Sequence, residues 1–448
     1  MTSGSPTDWD LVVVGGGPAG LAHAFWRQRR QPDLRVCVVE AADQPGGWVR
    51  TQELQGFQLE DGPQGFRPDD ETDAFLQAAG LTEHVVPCAD SAQRRFVIRR
   101  GRLHELPARP GDVLKSRLLP VLGKARLALE PRLRSKSGPN ESVAGFVRRR
   151  FGRAAVPVAE AMMHGIFAGD AHALEVEATL PAATELEREY GSLLRGMGAR
   201  ARARRAAGVE ARPAVCSFQG GMQQSVDALA ASLGGAVRAG LRAHAVVPAS
   251  GGFKVRCEGA EFSAPEVCVT TPPPQAALLL RPTDGQLADL LGEVPTVSVA
   301  SCYLGYDRAA VPEDVDGFGF LAPQGELGSV LGAIFTSSVF PHQAPDGQAL
   351  FRVMSGGHAH PHEVDRSDDS LLQQASDVLR ELLRLDRPPS FRHVNRARAA
   401  IPQYVRGHTA RMREVTERLA RHPGLTLRGA GYRKISVVGQ WAEQGSAP

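Results

Sequence analysis

Cysteine is scarce in this chain, and its spacing excludes the usual cysteine-based frameworks. Six cysteines are spread over 448 residues with no C-x-x-C pair. A disulfide-stapled secreted fold needs dense, paired cysteines, and a structural zinc site needs closely spaced thiolates. Cys37 and Cys268 stand in strand-like apolar runs, where a reduced thiol packs as a small apolar group. We therefore expect reduced cysteines and a cytoplasmic protein.

Long apolar runs and a large excess of one charge are also missing. No run approaches the roughly 18 apolar residues that span a bilayer, and the first ten residues, MTSGSPTDWD, lack the basic and apolar parts of a signal peptide. The formal net charge of +3 is too small to indicate a nucleic acid partner. Membrane contact, if there is any, is expected to be peripheral. The length is sufficient for two or three domains.

The sequence has no standard metal site and no motif for hydrolysis. His358, His360 and His362 alternate, but Pro361 interrupts the segment and no cysteine accompanies it. This spacing matches no common metal site, so we interpret the segment as a solvated loop and predict no metal. No G-x-S-x-G motif follows a strand, and we name no catalytic side chain.

The stretch from Asp10 to Glu40 carries a nucleotide-binding pattern. The apolar run Leu11–Val14 predicts a short buried strand, and three glycines follow it at the G-x-G-x-x-G spacing: Gly15, Gly17 and Gly20. The first glycine permits a tight turn, the second lets the backbone approach a pyrophosphate, and the third lets a helix pack closely on the strand. Pro18 suits the first helical turn, and Glu40 can accept both hydroxyls of an adenosine ribose. The stretch predicts a dinucleotide site.

A second group of glycines narrows the choice of nucleotide. Gly46-Gly47-Trp48 and Gly62-Pro63-Gln64-Gly65 resemble backbone turns of FAD enzymes in the amine-oxidase and protoporphyrinogen-oxidase superfamily, where such turns wrap the ribityl chain and the flavin ring. The resemblance implies FAD as the cofactor. The chain differs from the family at Gln44, where an arginine is usual. Further cofactor contacts that the resemblance implies are Ala19, Ala41, Val246, Ile435, Ser436 and Val437.

Later segments extend the resemblance over essentially the whole chain and make it more specific. In order and spacing they are similar to the oxygen-dependent protoporphyrinogen oxidase family, and they comprise GGWVRT, EDGPQGF, ESVAGFVRRRFG, GIFAGD at 165–170, FQGGMQQSVDAL, DGFGFL at 316–321 and IPQY at 401–404. The C-terminal segment departs most, because Lys434 replaces a glycine and the closing helix is short. The nucleotide pattern alone is shared by many oxidoreductases, so these segments carry the substrate prediction.

By that resemblance, a set of residues would bind a tetrapyrrole. Arg95 corresponds to an arginine that pairs with a propionate, which suits the forked guanidinium. The other implied substrate-binding residues are Gly165, Gly169, Phe318, Gly319, Leu321 and Met354. The implied reaction oxidises protoporphyrinogen IX to protoporphyrin IX with FAD, in two-electron steps that remove six hydrogens, and molecular oxygen is the acceptor.

The predicted fold class is α/β and α+β, with a Rossmann-like FAD-binding domain, a mixed-sheet substrate domain and a helical insertion. The FAD-binding domain is predicted at residues 1–88, 208–272 and 388–448, the insertion at 89–207 and the substrate domain at 273–387. The basic, leucine-containing stretch 111–134 lies in the insertion, which the family uses for peripheral membrane association. A cluster of arginines at 195–212 is interpreted as a solvated loop. A homodimer is a further candidate partner arrangement.

Three alternative functions stay open at this point. One is the oxidation of coproporphyrinogen III to coproporphyrin III by a related oxygen-dependent enzyme. Another is an FAD-dependent amine or carotenoid oxidoreductase. The third is a paralogue that keeps the fold with weakened or absent turnover.

Overall fold

The computed structural model describes residues 9–107, 112–116, 118–133, 135–208, 212–432 and 434–442. Its strands are Leu11–Val14 (β1), Val36–Val39 (β2), Thr51–Leu54 (β3), Phe57–Glu60 (β4), Val85–Pro87 (β5), Arg95–Arg99 (β6), Arg102–Glu105 (β7), Cys216–Phe218 (β8), Val237–Arg238 (β9), Ala243–Ala249 (β10), Gly252–Cys257 (β11), Ala260–Ala264 (β12), Glu266–Val269 (β13), Thr296–Asp307 (β14), Gly319–Leu321 (β15), Val330–Ile334 (β16), Gln348–Gly356 (β17), Phe391–Pro402 (β18) and Leu425–Leu427 (β19).

Helices of four residues or more fill the connections. They are Pro18–Arg30 (α1), Asp70–Ala78 (α2), Asp112–Lys115 (α3), Val121–Ala128 (α4), Val143–Phe151 (α5), Val156–Phe167 (α6), Val176–Thr179 (α7), Pro181–Tyr190 (α8), Leu193–Ala206 (α9), Gln223–Leu233 (α10), Pro273–Leu280 (α11), Gly285–Gly292 (α12), Thr336–Val339 (α13), Asp368–Leu383 (α14), His408–Leu419 (α15) and Val437–Trp441 (α16).

A five-stranded parallel sheet in the order β19-β13-β1-β2-β9 forms the nucleotide-binding half. β1 and β2 consist of apolar residues that are buried on both faces, as central parallel strands require. One face packs under α1, α10 and α16, and the other lies against the β10-β11-β12 sheet and helices α11, α12 and α15. The predicted Rossmann-like domain is confirmed.

A seven-stranded mixed sheet in the order β18-β14-β17-β16-β15-β6-β7 forms the second half. One face buries apolar side chains of β14, β16 and β17 beneath α14, and helix α6 packs over the β15 end of the other face. The mixed sheet is confirmed. Its membership differs from the sequence boundaries, because β6 and β7 (predicted in the insertion) and β18 (predicted in the FAD-binding domain) all belong to it. These strands pair with partners distant in sequence, which local patterns do not reveal.

The helices α3 to α9 form the insertion, which contains buried ion pairs of Arg150 with Glu130 and Glu187. Arg150 and Glu130 are both fully buried and hydrogen-bonded to each other, and Glu130 also accepts hydrogen bonds from the Ser192 hydroxyl and the amide of Leu193 at the start of α9. The arginine cluster predicted as a loop is mostly helical in α9, because alanines separate most of its arginines and favour a helix. Within the basic stretch 111–134, residues 111, 117 and 134 lie outside the described part.

The short helix α16 closes the nucleotide-binding half. Trp441 is fully buried and stacks on Phe75 with ring centres 4.8 Å apart, and the rings of Phe66 and Phe218 meet it edge-on. Its carbonyl accepts a hydrogen bond from the Trp26 indole of α1 at 2.8 Å. One large aromatic side chain thus anchors the last described turn of the chain.

Candidate functional site

The first glycine turn joins β1 to α1 and leaves an open space at its centre. The amide of Gly15 donates to the Val39 carbonyl at 2.8 Å, which ties the turn to β2. A Cβ atom at Gly20 would stand closer than 3.0 Å to the Gly15 carbonyl oxygen, whereas one at Gly17 would meet no atom within 4 Å. Pro18 and Ala19 begin α1 and are buried. The turn therefore packs tightly on both sides and is free only where a pyrophosphate is expected.

Glu40 lies directly against this turn. Its carboxylate accepts hydrogen bonds from the amide of Gly16 at 2.7 Å and from the amide of Ala42 at 2.8 Å. The neighbouring Ala41 is exposed. This placement puts the carboxylate beside the turn, as ribose recognition requires.

The second glycine pair stacks on the first turn. The amide of Gly46 donates to the Gly16 carbonyl at 2.8 Å, and a Cβ atom at Gly47 would approach the Gly17 Cα atom to 3.5 Å. Trp48 is 40% exposed, and its carbonyl leaves no room for a side chain at Gly62. The predicted cofactor segments, far apart along the chain, thus meet in one groove of backbone. A groove lined by glycines and closed by a carboxylate fits the adenosine diphosphate part of FAD.

Side chains of the seven-stranded sheet hold the Glu60–Gly62 turn by its carbonyl groups. Tyr303 of β14 donates its hydroxyl to the Glu60 carbonyl. The Asn395 amide of β18 donates to the Asp61 carbonyl at 3.0 Å, and Arg352 of β17 donates to the Gly62 carbonyl at 2.8 Å. Sequence reasoning missed these three residues. No motif marks them, because each acts through a long-range contact.

The rest of this turn is fixed by buried polar and close backbone contacts. The Gln64 amide donates to the Gln343 side chain at 2.6 Å, and Gln343 in turn donates to Gln58 at 3.3 Å. A side chain at Gly65 would overlap the Cys216 carbonyl. Pro63 precedes Gln64 and is half-buried. The turn that resembles the flavin-binding segment is therefore held rigidly between the two halves of the molecule.

Glu60 is the most strongly perturbed carboxyl beside this turn. Burial raises its pKa to about 8, although the Met222 amide, the Thr51 hydroxyl and the nearby Arg352 charge all favour the ionised form. At neutral pH much of this carboxyl is protonated.

The remaining predicted cofactor residues lie on separate elements. Ser436 caps α16, its side chain accepting from the Gly439 amide, and Val437 packs in the apolar core that includes α1. Ile435 packs instead against the helical insertion. Val246 is buried in β10 in the core that contains Val39. Gln44 is exposed in the loop just before Gly46. Direct contacts of these residues with FAD stay predictions.

One face of the seven-stranded sheet carries four of the predicted substrate residues: Arg95, Gly319, Leu321 and Met354. Across neighbouring strands, Leu321 pairs with Gly332, Gly332 with Met354, and Met354 with Ser301. A second row is displaced from the first by two residues along each strand. It runs through Arg95, Gly319, Ile334, Arg352 and Tyr303. Alternate residues of a strand point to the same face, so both rows lie on the face opposite α14. This face extends from the predicted substrate residues to the Glu60–Gly62 turn.

Arg95 begins β6 at the outer end of this face. Its guanidinium lies 4.8 Å from the ring centre of Phe318, an arrangement that favours a cation–π contact. Desolvation by the surrounding protein lowers its pKa, and the nearby positive charge of Arg67 lowers it further. Among the described residues, neither arginine forms an ion pair with a carboxylate. Two neighbouring guanidiniums without acidic partners are suited to an anionic ligand; sequence reasoning had missed Arg67.

The two glycines of the predicted tetrapyrrole segment have different surroundings. A Cβ atom at Gly165 in α6 would stand 2.8 Å from the Leu321 side chain, so α6 and β15 meet here. At Gly169 the space is filled by Gln403, whose amide donates to the Phe167 carbonyl at 2.8 Å. Close packing in the protein therefore accounts for both glycines, and an approach of their backbone to pyrrole rings stays a prediction.

Comparisons with known proteins define the class. The family model of flavin containing amine oxidoreductases matches residues 18–445, and the chain belongs to that family. It is thus a flavin-containing oxidoreductase whose cofactor is FAD. It is 30% identical to human protoporphyrinogen oxidase over 458 residues, covering 95% of each chain. It is 26% identical to the coproporphyrinogen III oxidase of Bacillus subtilis over 456 residues, covering 95% of this chain and 94% of that one.

Solved structures agree with this assignment. A structure from Exiguobacterium sp. 255-15 matches with a TM-score of 0.81 and 25% identity, covering 98% of this chain and 97% of that one. A reduced UDP-galactopyranose mutase shares only the fold, with a TM-score of 0.73 and 15% identity over 98% and 93% of the two chains. The resemblance to protoporphyrinogen oxidases read from the sequence is confirmed.

Proposed function

We propose that the chain oxidises a porphyrinogen, with protoporphyrinogen IX as the preferred substrate and protoporphyrin IX as the product. The supporting observation is the sheet face that carries the Arg95 guanidinium at one end and the flavin-binding turn at the other, with Leu321 and Met354 between them. An apolar surface with one cationic end suits a flat macrocycle that bears carboxylates at one edge. The named activity of the human relative supports the same choice.

The side chains of this face bind and orient the substrate. Arg95 holds a propionate, while Phe318 fixes the guanidinium by stacking beneath it. Leu321 and Met354 contact the rings, and their apolar surfaces exclude water from the reacting carbon. When bound, FAD would supply the oxidant: each of three two-electron steps would transfer a hydride to it and release a proton from the porphyrinogen, and oxygen would take up the electrons and protons as hydrogen peroxide. Because the cofactor supplies this chemistry, the residues act by position.

The test is aerobic turnover of protoporphyrinogen IX followed by porphyrin fluorescence. We expect Arg95→Ala to raise KM by tenfold or more, since one charged hydrogen-bonding group is worth about 1.5–3 kcal/mol. Arg94→Ala is the matched control: Arg94 precedes it, lies over the Phe96 ring at 5.3 Å and pairs with exposed Glu105. Wild-type rates equal to spontaneous oxidation would remove this proposal.

Oxidation of coproporphyrinogen III is the second candidate function, and Arg67 favours it. Coproporphyrinogen III carries four propionates and protoporphyrinogen IX two, so a second guanidinium beside Arg95 can engage the additional carboxylates. Parallel assays of both substrates decide between them. If Arg67→Ala reduces kcat/KM for coproporphyrinogen III more than for protoporphyrinogen IX, the four-carboxylate substrate is the better match.

The exposed face of α4 is our proposed site of peripheral membrane contact. Val121 and Leu122 are 80% and 84% exposed, and Leu129 beyond the helix is 50% exposed. No helix in the described ranges is long and apolar enough to cross a bilayer. We expect Leu122→Ser to reduce co-sedimentation with anionic phospholipid vesicles. The same change at Leu278, a leucine of α11 that is 71% exposed, should leave it unchanged. Equal vesicle binding by both variants would exclude α4 as the membrane contact site.

We also propose that the protein forms a homodimer, which sedimentation velocity tests.

A further inference from the structure

Arg352 is a buried guanidinium placed between the two halves of the molecule. Only 5% of its surface is exposed. Besides the Gly62 carbonyl at 2.8 Å, it donates to the Ser301 hydroxyl from Nε at 3.1 Å and from Nη2 at 3.0 Å, and it reaches the Gln64 side chain at 3.5 Å. Its guanidinium carbon, Cζ, lies 5.5 Å from the Tyr303 ring centre. All its partners are neutral groups, and two of them belong to the flavin-binding turn.

The charge of Arg352 is not neutralised by an ion pair with any described residue. Two carboxyls lie nearby. Burial raises the pKa of Glu60 to about 8, so it is largely protonated at neutral pH, and the Asp61 carboxylate accepts instead from the Gln52 amide at 2.6 Å. A buried charge without a counter-ion destabilises the folded protein, so such a charge is usually retained for a functional reason.

The position of Arg352 connects it to the cofactor and not to the substrate anchor. It stands in the same row as Arg95, three strand spacings away, or about 14 Å at ~4.8 Å per spacing. Met354, two residues further along β17, shares its face and is only half-buried. Arg352 directs Nη1 at the turn and its other two donors at Ser301, so its charge lies behind the turn that resembles the flavin-binding segment.

We propose that Arg352 is a positioning residue for the flavin: it holds the Gly62–Gly65 turn in place and supplies a fixed positive charge that favours reduced over oxidised FAD. The inference rests on FAD binding at this turn, but it does not depend on which porphyrinogen is oxidised. Reduced flavin carries more negative charge than oxidised flavin. A cation in a water-poor site therefore stabilises the reduced form more than the oxidised form and raises the midpoint potential.

Two substitutions separate the hydrogen bonds from the charge. Arg352→Met removes both the hydrogen bonds and the charge. We expect this variant to bind oxidised FAD more weakly and to lose a further factor of ten in its affinity for reduced FAD. For a two-electron couple that tenfold difference lowers the midpoint potential by about 30 mV. Arg352→Lys keeps the charge but loses the fork, so we expect weaker FAD binding with most of the potential retained. Both readouts use FAD alone: titration of the flavin-free protein, and reductive titration of the flavoprotein against a reference dye.

The matched control is Arg396→Met. Arg396 lies on β18 opposite Ala300, on the other face of the sheet, where it donates to the carbonyls of Val364 at 2.9 Å and Arg366 at 2.7 Å. Arg396 also pairs with the Asp368 carboxylate at 2.6 Å. This control therefore loses hydrogen bonds and an ion pair on the face away from the turn, and its midpoint potential is expected to match that of the wild type.

The outcomes are distinct. The proposal is overturned if Arg352→Met lowers the thermal midpoint only as much as Arg396→Met does, its FAD affinity changes by less than twofold, and its midpoint potential changes by less than the shift that a twofold affinity ratio would produce. If the methionine variant fails to fold, Arg352→Lys decides, since unchanged FAD affinity in a folded lysine variant contradicts the positioning role. The electrostatic part is contradicted if the midpoint potential of Arg352→Lys falls by the about 30 mV expected for a lost charge, because lysine keeps the charge.

Discussion

Two glycines of the first turn, three residues apart, are expected to respond in opposite ways to the same added methyl group. Gly17 has φ −74° and ψ 177°, angles open to alanine, and its Cβ atom would meet nothing within 4 Å. Restricting the unfolded chain stabilises by about 0.4–1 kcal/mol, and alanine at a helix N-cap costs up to about 1 kcal/mol relative to glycine. The unfolding free energy of flavin-free Gly17→Ala should therefore stay within about 1 kcal/mol of the wild type.

The cost of Gly17→Ala appears only when FAD binds. The added methyl group occupies the open space assigned to the pyrophosphate, so we expect the Kd for FAD to rise at least tenfold, or about 1.4 kcal/mol. Gly20→Ala is different because its Cβ atom would crowd the Gly15 carbonyl and stand 2.8 Å from the Thr270 hydroxyl oxygen. Pushing α1 away from β1 should cost roughly 1–3 kcal/mol of stability before FAD is added.

Chemical denaturation of the flavin-free proteins, followed by fluorescence titration with FAD, separates these effects. Wild-type FAD affinity in Gly17→Ala would mean that the pyrophosphate does not pass this residue. A destabilisation of Gly17→Ala equal to that of Gly20→Ala would contradict the open space described at the turn.

Three further predictions concern stability. Trp441→Ala should lower the unfolding free energy by about 3–5 kcal/mol, because it empties a fully buried aromatic cluster; urea denaturation measures this, and a loss below 1 kcal/mol would mean that α16 is not docked. Glu130→Gln should cost about 1.5–3 kcal/mol, the worth of a charged hydrogen-bonding group, because buried Arg150 then keeps only the Glu187 carboxylate at 3.3 Å. Glu261→Gln in an exposed pair should cost under ~1 kcal/mol, as denaturation of both variants can show. Burial lowers the pKa of His408 to about 4, so its neutral form favours folding above its unfolded pKa near 6.5. As the pH falls from 6.5 to 4, roughly 3 kcal/mol should be lost, and a His408→Gln variant with the same pH slope would contradict this.

Local pattern was sufficient for the nucleotide-binding half and insufficient for the second sheet. The strand, glycine turn, helix and Glu40 follow one another within about thirty residues, so each predicts its neighbour. Arg352, Tyr303 and Asn395 act on a turn more than two hundred residues away. No periodicity records such contacts. The same reason explains why the boundaries predicted from the sequence separate β6 and β18 from the seven-stranded sheet that they join.

The candidate substrate site also depended on resemblance. Taken from composition alone, Phe318 and Met354 are ordinary core residues, and Arg95 is a surface arginine. The structure adds the stacking of Arg95 on Phe318 and the proximity of Arg67, which together give the segment a chemical preference for carboxylates. This preference could not be read from the sequence, because residues 67, 95 and 318 come from separate strands and loops.

The common row of Arg95 and Arg352 has a consequence for how this fold can change its substrate. Both arginines are fixed to one hydrogen-bonded ladder, so the separation between the carboxylate anchor and the cofactor is set by the number of intervening strands. Lengthening a side chain adjusts that separation only slightly, and a slip of one residue would turn the whole row to the opposite face. Divergent relatives are therefore expected to vary the ring-contacting residues freely while keeping β15 and β16 between anchor and cofactor, since removing either strand would shorten the site by about 5 Å at once.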